Sequence, residues 1–593
     1  MGQSNRTRLP FTLPSWLSLV LGMVTFVGGL LLSVRPFQSL TVLLWLTIGG
    51  MLLVGLSRFT SDRDDRLPWT RWIVGAFWLG AALLAAFWPG MTIRTLAWLA
   101  GVALGGSGLI KLMGVLDGSR NQRVLRGIAG LAQLIFGLLA FSIPTVTLLL
   151  LGPIFGVYVA TIGLRLLWAA LIPQRTRNAA DRVSNSEANW WPYWLRLTGA
   201  AVGLAAALGM IVLVVSVRRA QPATPGPFYT PPTPLPAGAP GTILRTEPVA
   251  DFYPGAIAQR VLYLSTDLAG QPQAVSGLVI TPAEAPPAEG RPVVAWTHGT
   301  VGLMPKCAPS LIDGAIYAGA LPGLGQLIKA GYVVVAPDYQ GLGTAGVHPY
   351  LVGKVSGANS LDNIRAAINL PETGATNKFV VWGESQGGQA ALFTGQMAAD
   401  YAPELQLLGV IASAPASDLL SLFLTKTEEA SPIGNILLSM GISAWSDVYG
   451  IKMSDVVYPA AIPLVRSIAN SCIQVPEQTQ SAIPAAIMLN MLFISNPPWE
   501  KPPWDQILID NTPGAVVTAA PVLIIQGDAD KVIDPAVQAR FVDHLCAIGT
   551  PTEYRTYAGI GHLAISHEAA DEMVAWINER FGGASAATTC KST

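Results

Sequence analysis

Six windows free of Asp, Glu, Lys and Arg dominate the first 219 residues: Leu9–Val34, Pro36–Ser57, Trp72–Ile93, Thr95–Ile110, Gly127–Leu164 and Leu197–Val217. A run of about 20 apolar residues spans the hydrocarbon core of a bilayer, and a charge inside it is costly. The fifth window is too long for one span and is divided by Pro144, so the sequence predicts seven transmembrane helices. Arg6 and Arg8 ahead of the first run look like the start of a secretory leader. Six further spans follow, so the first is expected to be an anchor.

Composition supports this division. Charged residues make up 12% of the chain, against about 25% in ordinary soluble domains, which excludes a fully soluble protein and any large disordered fraction. The zero net charge hides two unlike halves. Of 36 basic and 36 acidic residues, 19 and 6 lie in residues 1–219, leaving 17 and 30 for the rest. With the N-terminus inside, the tail and the loops after helices two, four and six carry fifteen Lys or Arg, from Arg6 to Arg196. The opposite side has four: Arg35, Arg94, Arg218 and Arg219. Basic residues stay cytoplasmic, so the expectation is a multi-pass cell-membrane protein with a cytoplasmic N-terminus. An odd number of spans then places everything after Val217 outside the cytoplasm.

The first six spans read as three hairpins. Pro36, Pro89 and Pro144 each separate two apolar runs, and Gly55, Gly108 and Gly163 each lie 19 residues beyond their proline. Each glycine is followed by Leu and then by Arg58, Lys111 or Arg165. Fixed spacing of this kind marks an internal repeat. The pattern resembles the short-repeat acid-resistance membrane protein family (HdeD-like) over about residues 14–172, a family that offers no catalytic residue to carry over. The spans hold essentially none of the ionisable groups that mark a transport pathway. The bundle therefore reads as an anchor and packing scaffold rather than a transporter or sensor. Its Gly-rich faces (Gly49, Gly50, Gly55; Gly101, Gly105, Gly106, Gly108) suggest close helix packing.

Eight prolines between Pro222 and Pro240 follow. Such a segment favours extended geometry and acts as a semi-rigid spacer. The expected organisation is a transmembrane bundle over 1–219, a Pro-rich linker over 220–242 and a globular domain over 243–593. All four cysteines, Cys307, Cys472, Cys546 and Cys590, lie in that last part. An even number confined there fits an oxidising compartment, and four cysteines allow three connectivities. From about 245 on, short β-branched runs alternate with helical stretches. Val293–Ala295, Tyr332–Ala336, Phe379–Trp382, Leu408–Ala412, Val522–Ile525 and Glu553–Tyr557 read as strands of a covered parallel sheet. Gly387–Tyr401 and Pro535–Cys546 read as helices, which gives an α/β doubly wound class.

Gly383-Glu384-Ser385-Gln386-Gly387-Gly388 lies directly after one of these strands and directly before a helix. That is the context a G-x-S-x-G nucleophile elbow requires. The tight turn needs glycine on both sides of the serine, lifts the Ser385 hydroxyl above the sheet and points the Gln386 amide at the same space. A serine needs a base and the base an orienting acid. Of five histidines, His544, His562 and His567 follow Ser385. His562 sits on a Gly-flanked loop after the last strand, whereas His544 falls within a helix and His567 opens the final one. For the acid, Asp530 in Gly527-Asp528-Ala529-Asp530 is preferred; Asp528 is the nearest rival, and Asp534 caps the helix at Pro535. Trp296-Thr297-His298-Gly299-Thr300 supplies the second oxyanion amide, with His298 structuring the loop. No H-E-x-x-H or C-x-x-C motif is present, and neither metal nor cofactor is expected.

THGTVGLMPKCAPS (from Thr297), PDYQGLGTAGVHPYLVG (from Pro337) and GESQGGQAAL (from Gly383) are similar to the secretory lipase family of α/β-hydrolases, which includes the fungal lipase A type. The similarity covers about residues 240–582. It implies esterase or triacylglycerol lipase activity and a role in lipid catabolism, with Ser385, Asp530 and His562 as the triad. It also implies Thr300 and Gln386 as oxyanion donors beside Gly299, and a Cys307–Cys472 disulfide that leaves Cys546–Cys590 as the other pair. Glu384 departs from the small or aromatic residues common in such elbows and makes the pocket mouth more polar. The hundred-odd residues between Leu408–Ala412 and Val522–Ile525 exceed any ordinary connection. Leu419–Leu424, Ile433–Met440, Ile483–Ile494 and the aromatic-proline segment Pro497–Trp504 make them a helical cap, about 416–515.

The sequence thus predicts a membrane-anchored, extracytoplasmic serine ester hydrolase acting through an acyl-enzyme on lipid-like or other apolar esters, with the bilayer as partner and no nucleic acid. Two other readings stay open. One is an acyltransferase on the same triad, and the other is a membrane stress or transport protein whose outer domain only binds ligand. Oligomeric state is not legible.

Overall fold

A computed structural model describes residues 15–33, 89–116, 119–142, 193–219, 224–429, 431–474 and 493–590, with scattered positions in 42–56, 72–83, 155–167 and 479–489. Most of the expected second and third spans, residues 143–154 of the fifth window, much of Ile483–Ile494 and most of the basic loop residues lie outside the described residues. The chain divides between Ser216 and Val217 into two compact units, the first also taking in Tyr458–Leu464 and Met491–Phe493.

The first unit is helical, with helices Ser15–Ser33, Pro89–Met113 and Arg120–Ser142 and the start of Tyr193–Arg219. Among the described residues one helix, Arg120–Ala140, is long and apolar enough to cross a membrane by length and composition. Pro89–Met113 and Arg120–Ser142 form a hairpin through the turn Gly114–Leu116, closed by a hydrogen bond from Arg126 Nη1 to Gly114 O at 2.8 Å. Small residues let their backbones touch: a Cβ on Gly108 would meet Gly130 O at 2.7 Å. Not every glycine of the expected packing faces takes part, because a Cβ on Gly49 or Gly106 would meet nothing within 4 Å. Gln133 Oε1 also joins the two helices, accepting from Lys111 Nζ at 2.9 Å and Ser107 Oγ at 3.1 Å.

The second unit is built on a nine-stranded mixed sheet in the order β1-β2-β3-β5-β4-β6-β7-β8-β9. The strands are β1 Ile243–Val249, β2 Ala256–Thr266, β3 Pro272–Pro282, β4 Arg291–Thr297, β5 Val333–Pro337, β6 Ala375–Glu384, β7 Gln406–Ser413, β8 Val522–Gly527 and β9 Thr552–Tyr557. β4 to β9 match the six expected runs, with Tyr332 alone falling just before β5, and pair in parallel; β1 to β3 are antiparallel, as is β3 against β5. The antiparallel strands were not expected, because polar residues interrupt them. Those inside are satisfied: Ser265 Oγ donates to Asp362 and Ser276 Oγ to Asp338. The β2–β3 turn is set locally by Asp267, whose carboxylate accepts from the Ala269 and Gln271 amides.

Helices cover both faces. Gly314–Ala320, Leu324–Lys329 and Ala570–Phe581 pack around Trp296, Trp382 and Ile525; Gly353–Ile368, Gln386–Tyr401 and Pro535–Ala547 pack around Val335, Phe379 and Ile524. Between β7 and β8 the chain adds helices, among them Leu419–Glu429, Pro432–Val448 and Trp504–Asp510. Part of the Pro-rich segment is packed rather than free. Phe228 and Tyr229 are buried with Leu262 and Ala274, and Tyr229 Oη bonds Ser310 Oγ at 2.8 Å. Two disulfides, Cys307–Cys472 and Cys546–Cys590, account for all four cysteines.

Candidate active site

β6 ends at Glu384 and the helix Gln386–Tyr401 begins one residue after Ser385, leaving Ser385 alone in the bend with φ 57° and ψ −118°. A non-glycine residue held in such a sparsely populated region stores strain, typically at a functional site. The elbow is held from both sides. Ser385 N donates to Ser413 O at 2.9 Å at the end of β7, and Ser385 O accepts from Gln389 N and Ala416 N at 3.1 Å each. A Cβ on Gly383 would collide with Thr297 Oγ1 and Gly387 O, and one on Gly387 with Thr297 O. Both glycines are required by that approach of β4.

His562 lies on the loop after β9 and Asp530 on the loop after β8. His562 Nε2 is 3.0 Å from Ser385 Oγ, and His562 Nδ1 is 2.8 Å from Asp530 Oδ2. A carboxylate can only accept, so Nδ1 carries the imidazole proton and Nε2 is left to accept from the serine hydroxyl. Asp530 is buried and heavily bonded. Its Oδ2 also accepts from Gln526 Nε2 at 2.9 Å, and Oδ1 accepts from the Val532 and Ile533 amides at 2.7 and 2.9 Å. Burial pushes its pKa up, but the hydrogen bond and charge of His562 and the two amides outweigh it and hold the carboxyl below its ordinary value.

The rival residues are engaged elsewhere. Asp528 Oδ1 accepts from Gly559 N at 2.6 Å and so shapes the loop that carries His562. Asp534 accepts from Ala536 N as an N-cap, and His544 Nε2 faces Gly514 O at 2.9 Å. His567 is exposed.

β4 and β6 end flush, Thr297 pairing with Gly383, so the loop after β4 arrives beside the serine. A Cβ on Gly299 would lie 3.7 Å from Ser385 Cβ. Thr300 follows, its Oγ1 bonded to Tyr350 Oη at 2.9 Å. Gln386 opens its helix, where backbone N–H groups have no intrahelical acceptor. The amides of Thr300 and Gln386 thus come from the two segments that flank the serine. His298 is buried between Gly299 O and Asp338 O, and burial lowers its pKa to about 4. Burial pushes the Glu384 carboxyl up, with His562 opposing that shift and Asp530 adding to it.

Two supporting residues went unassigned in the sequence reading. His348, held by burial at a pKa of about 3, donates from Nδ1 to Gln340 O at 3.0 Å and accepts on Nε2 from Gln386 Nε2 at 3.2 Å. Tyr350 holds Thr300, and its own carbonyl accepts from Trp445 Nε1 at 3.0 Å, which ties the residues between β7 and β8 to this side of the site. No local motif marks either role, since both contacts are made across the fold. Among the described residues no cluster of His, Cys, Asp and Glu could hold a metal ion.

The chain is similar to known proteins in two regions. Residues 321–444 and 500–589 match the secretory lipase family, and residues 73–142 match a short repeat of unknown function (DUF308). A probable inactive lipase of Mycobacterium tuberculosis is 28% identical over 392 residues, 62% of this chain and 84% of that protein. Lipase 2 of Candida albicans is 27% identical over 429 residues, 66% of this chain and 88% of its own. Among solved structures, Candida antarctica lipase A in its closed state superposes with a TM-score of 0.52 at 21% identity, covering 63% of this chain and 89% of that one. That likeness shows the fold. Two segments of the second unit thus match the secretory lipase family, the chain is similar to lipases over about two thirds of its length, and a DUF308 short-repeat region lies ahead of those segments.

Proposed function

We propose that the protein is a serine ester hydrolase, a lipase or carboxylesterase acting on lipid-like esters, anchored in a membrane by its first 219 residues. The observation that carries the reading is the unbroken chain Ser385 Oγ–His562 Nε2 at 3.0 Å and His562 Nδ1–Asp530 Oδ2 at 2.8 Å, on a strained elbow. His562 takes the Ser385 proton as Oγ attacks the ester carbonyl. The amides near Thr300 and Gln386 receive the oxyanion, and Asp530 stabilises the imidazolium. His562 then returns the proton to the leaving alcohol, an acyl-enzyme remains, and water releases the acid. The match to the secretory lipase family supports a lipid ester as substrate. The exposed Leu420, Leu424 and Ile433 on the helices between β7 and β8 are compatible with an apolar acyl chain.

The charge-free windows and the asymmetry of basic residues support a seven-helix, multi-pass anchor with a cytoplasmic N-terminus. The two disulfides of the second unit support an extracytoplasmic hydrolase domain.

The deciding experiment is labelling and turnover of the full chain in detergent. Wild type should react with a fluorophosphonate and hydrolyse p-nitrophenyl esters, while Ser385→Ala should do neither with expression unchanged. Full activity in Ser385→Ala, or a wild type inert to both reagents, would overturn the assignment. The relative described as inactive makes this the first measurement to perform.

A further inference from the structure

Aligned on Pro36, Pro89 and Pro144, the three short repeats also share Gly22, Gly75 and Gly130, fourteen residues before the proline. Between the second and third repeats, the two helices of the hairpin meet backbone to backbone. A Cβ on Gly108 would meet Gly130 O and Leu134 N at 2.7 Å each, and one on Gly137 would meet Gly105 N at 2.7 Å and Gly101 O at 2.9 Å.

The same contact recurs between the third repeat and the first. A Cβ on Gly163 would meet Gly22 O and Phe26 N, and one on Gly29 would meet Gly156 O and Ala160 N. Counted from their prolines, Gly163 stands where Gly108 does, Gly22 where Gly130 does, Phe26 where Leu134 does and Gly29 where Gly137 does. Gly156 and Ala160 likewise stand where Gly101 and Gly105 do. The side-chain contact repeats as well: a Cβ on Gly130 would lie 3.0 Å from Leu112 Cγ, and one on Gly22 would lie 2.9 Å from Leu167 Cγ.

The junction of the first repeat with the second has Ile48 where the others have Gly101 and Gly156, and Ala82 where they have Gly137 and Gly29. Ile48 and Ala82 form one buried cluster, with Met51 packed against it. Each junction is head to tail, the second helix of one repeat against the first helix of the next, and interfaces of that kind make a ring when the rotation closes. Here the third repeat returns to the first.

We infer that the three repeats close into a six-helix ring of pseudo-threefold symmetry whose outward face meets lipid acyl chains. The outward positions also obey the symmetry. Leu30, Leu83 and Leu138 share one repeat position at 48%, 56% and 61% exposure, and Leu56, Leu109 and Leu164 share another at 53%, 51% and 52%. A protein partner would cover one sector of such a ring. An apolar face repeated on all three sides is matched by an apolar solvent, the bilayer core. The lipid half of the inference rests on the membrane anchor proposed above, whereas the ring does not.

Paired cysteines in the full chain test closure: Gly130→Cys with Leu112→Cys, Gly22→Cys with Leu167→Cys, and Ile48→Cys with Ala82→Cys. Each variant also carries a protease site in the intervening chain. The native cysteines all lie beyond residue 300 and stay on one fragment. All three pairs should hold their fragments together until reduction, and the outward pair Leu30→Cys with Leu83→Cys should not. A 22/167 pair that links only between two chains, or not at all while 112/130 links, would overturn the ring. Should the cysteine variants express poorly, leucine substitutions give a second test. Gly28, where a Cβ would meet nothing within 4 Å, should accept Leu; Gly29→Leu should lower the yield of monodisperse protein about tenfold through overpacking. Equal yields would also overturn closure. Spin labels at Leu30→Cys, Leu83→Cys and Leu138→Cys in phosphatidylcholine vesicles should favour oxygen over a water-soluble nickel chelate. The reverse preference with cross-links intact would remove the lipid assignment and the anchor with it, leaving the ring standing.

Discussion

Replacing Asp530 by Asn tests the proposed acid through the imidazole it orients. Oδ1 of the carboxylate accepts from the Val532 and Ile533 amides, while Oδ2 accepts from His562 Nδ1 and Gln526 Nε2. In Asn, one atom must become an amide nitrogen. Keeping the two backbone bonds leaves the oxygen at the Oδ1 position, so the NH2 group faces His562. A donor there forces the imidazole to accept on Nδ1 and carry its proton on Nε2, which then points a hydrogen at Ser385 Oγ instead of a lone pair. The base is lost while the loop is preserved. Disabling the tautomer in this way costs about 10⁴ in kcat in Ser-His-Asp sites, or about 5 kcal/mol of transition-state stabilisation. The assay is p-nitrophenyl ester turnover normalised to the folded fraction from thermal unfolding. Asp528→Asn is the control, because it perturbs the Gly559 turn of the same loop without touching the imidazole, and a loss of only a few-fold is expected. An Asp530→Asn enzyme within tenfold of wild type, or an equal loss in Asp528→Asn, would refute the assigned acid.

Tyr350→Phe removes the hydroxyl at 2.9 Å from Thr300 Oγ1. It should lower kcat about tenfold with KM little changed, the size of one hydrogen bond, and Thr300→Val should add little on top of it. An additive double mutant would refute the coupling. Replacing Cys307 and Cys472 together by Ser should cost about 2–4 kcal/mol of stability in urea unfolding, and no change in midpoint would refute a stabilising role. Asp362 is pushed up to about 6 by burial, against hydrogen bonds from Ser265, Arg365 and Tyr401. A carboxyl raised on folding contributes stability below its unfolded value of about 4 and loses it as pH rises through the folded one. Asp362→Asn should therefore flatten the fall in stability between about pH 4 and 6, and an unchanged slope would refute this.

Legibility in the sequence followed the range of the interactions. β4 to β8 could be read because a strand core buried on both faces must be apolar, as Val333–Pro337 is throughout, whereas the edge strand β9 is polar and half-buried. β2 and β3 could not, because Ser265 and Ser276 look unsuited to a core until Asp362 and Asp338 are seen to pair with them. Gly383, Ser385 and Gly387 announce the elbow because it is a local turn, and chain order narrowed the histidines and acids to the residues the structure brings together. Tyr350 and His348 carried no such signal: their partners Thr300 and Gln386 are 50 and 38 residues away. In the first unit, repeat spacing was visible but partnership was not, so Gly106 and Gly108 looked equivalent although only Gly108 meets a neighbouring backbone.

The site divides into two mechanical parts. Thr297 Oγ1 donates to Gly387 O at 2.8 Å, and Gly383 and Gly387 leave no room for a Cβ against Thr297. The end of β4 and the elbow are therefore locked together, which holds the proposed oxyanion amides of Thr300 and Gln386 on segments adjoining Ser385. The proposed acid and base come from loops after β8 and β9, which are tied to each other in the same way: Asp528 Oδ1 accepts from Gly559 N, Ile560 packs against the core, and a Cβ on Gly527 would collide with Ile560 O. Strain at Ser385 is borne by the rigid part, as expected where surrounding structure over-determines a bend. Under the proposed mechanism, substitutions near β8 and β9 should act on proton transfer, and those near Thr297 on the elbow and the oxyanion amides together.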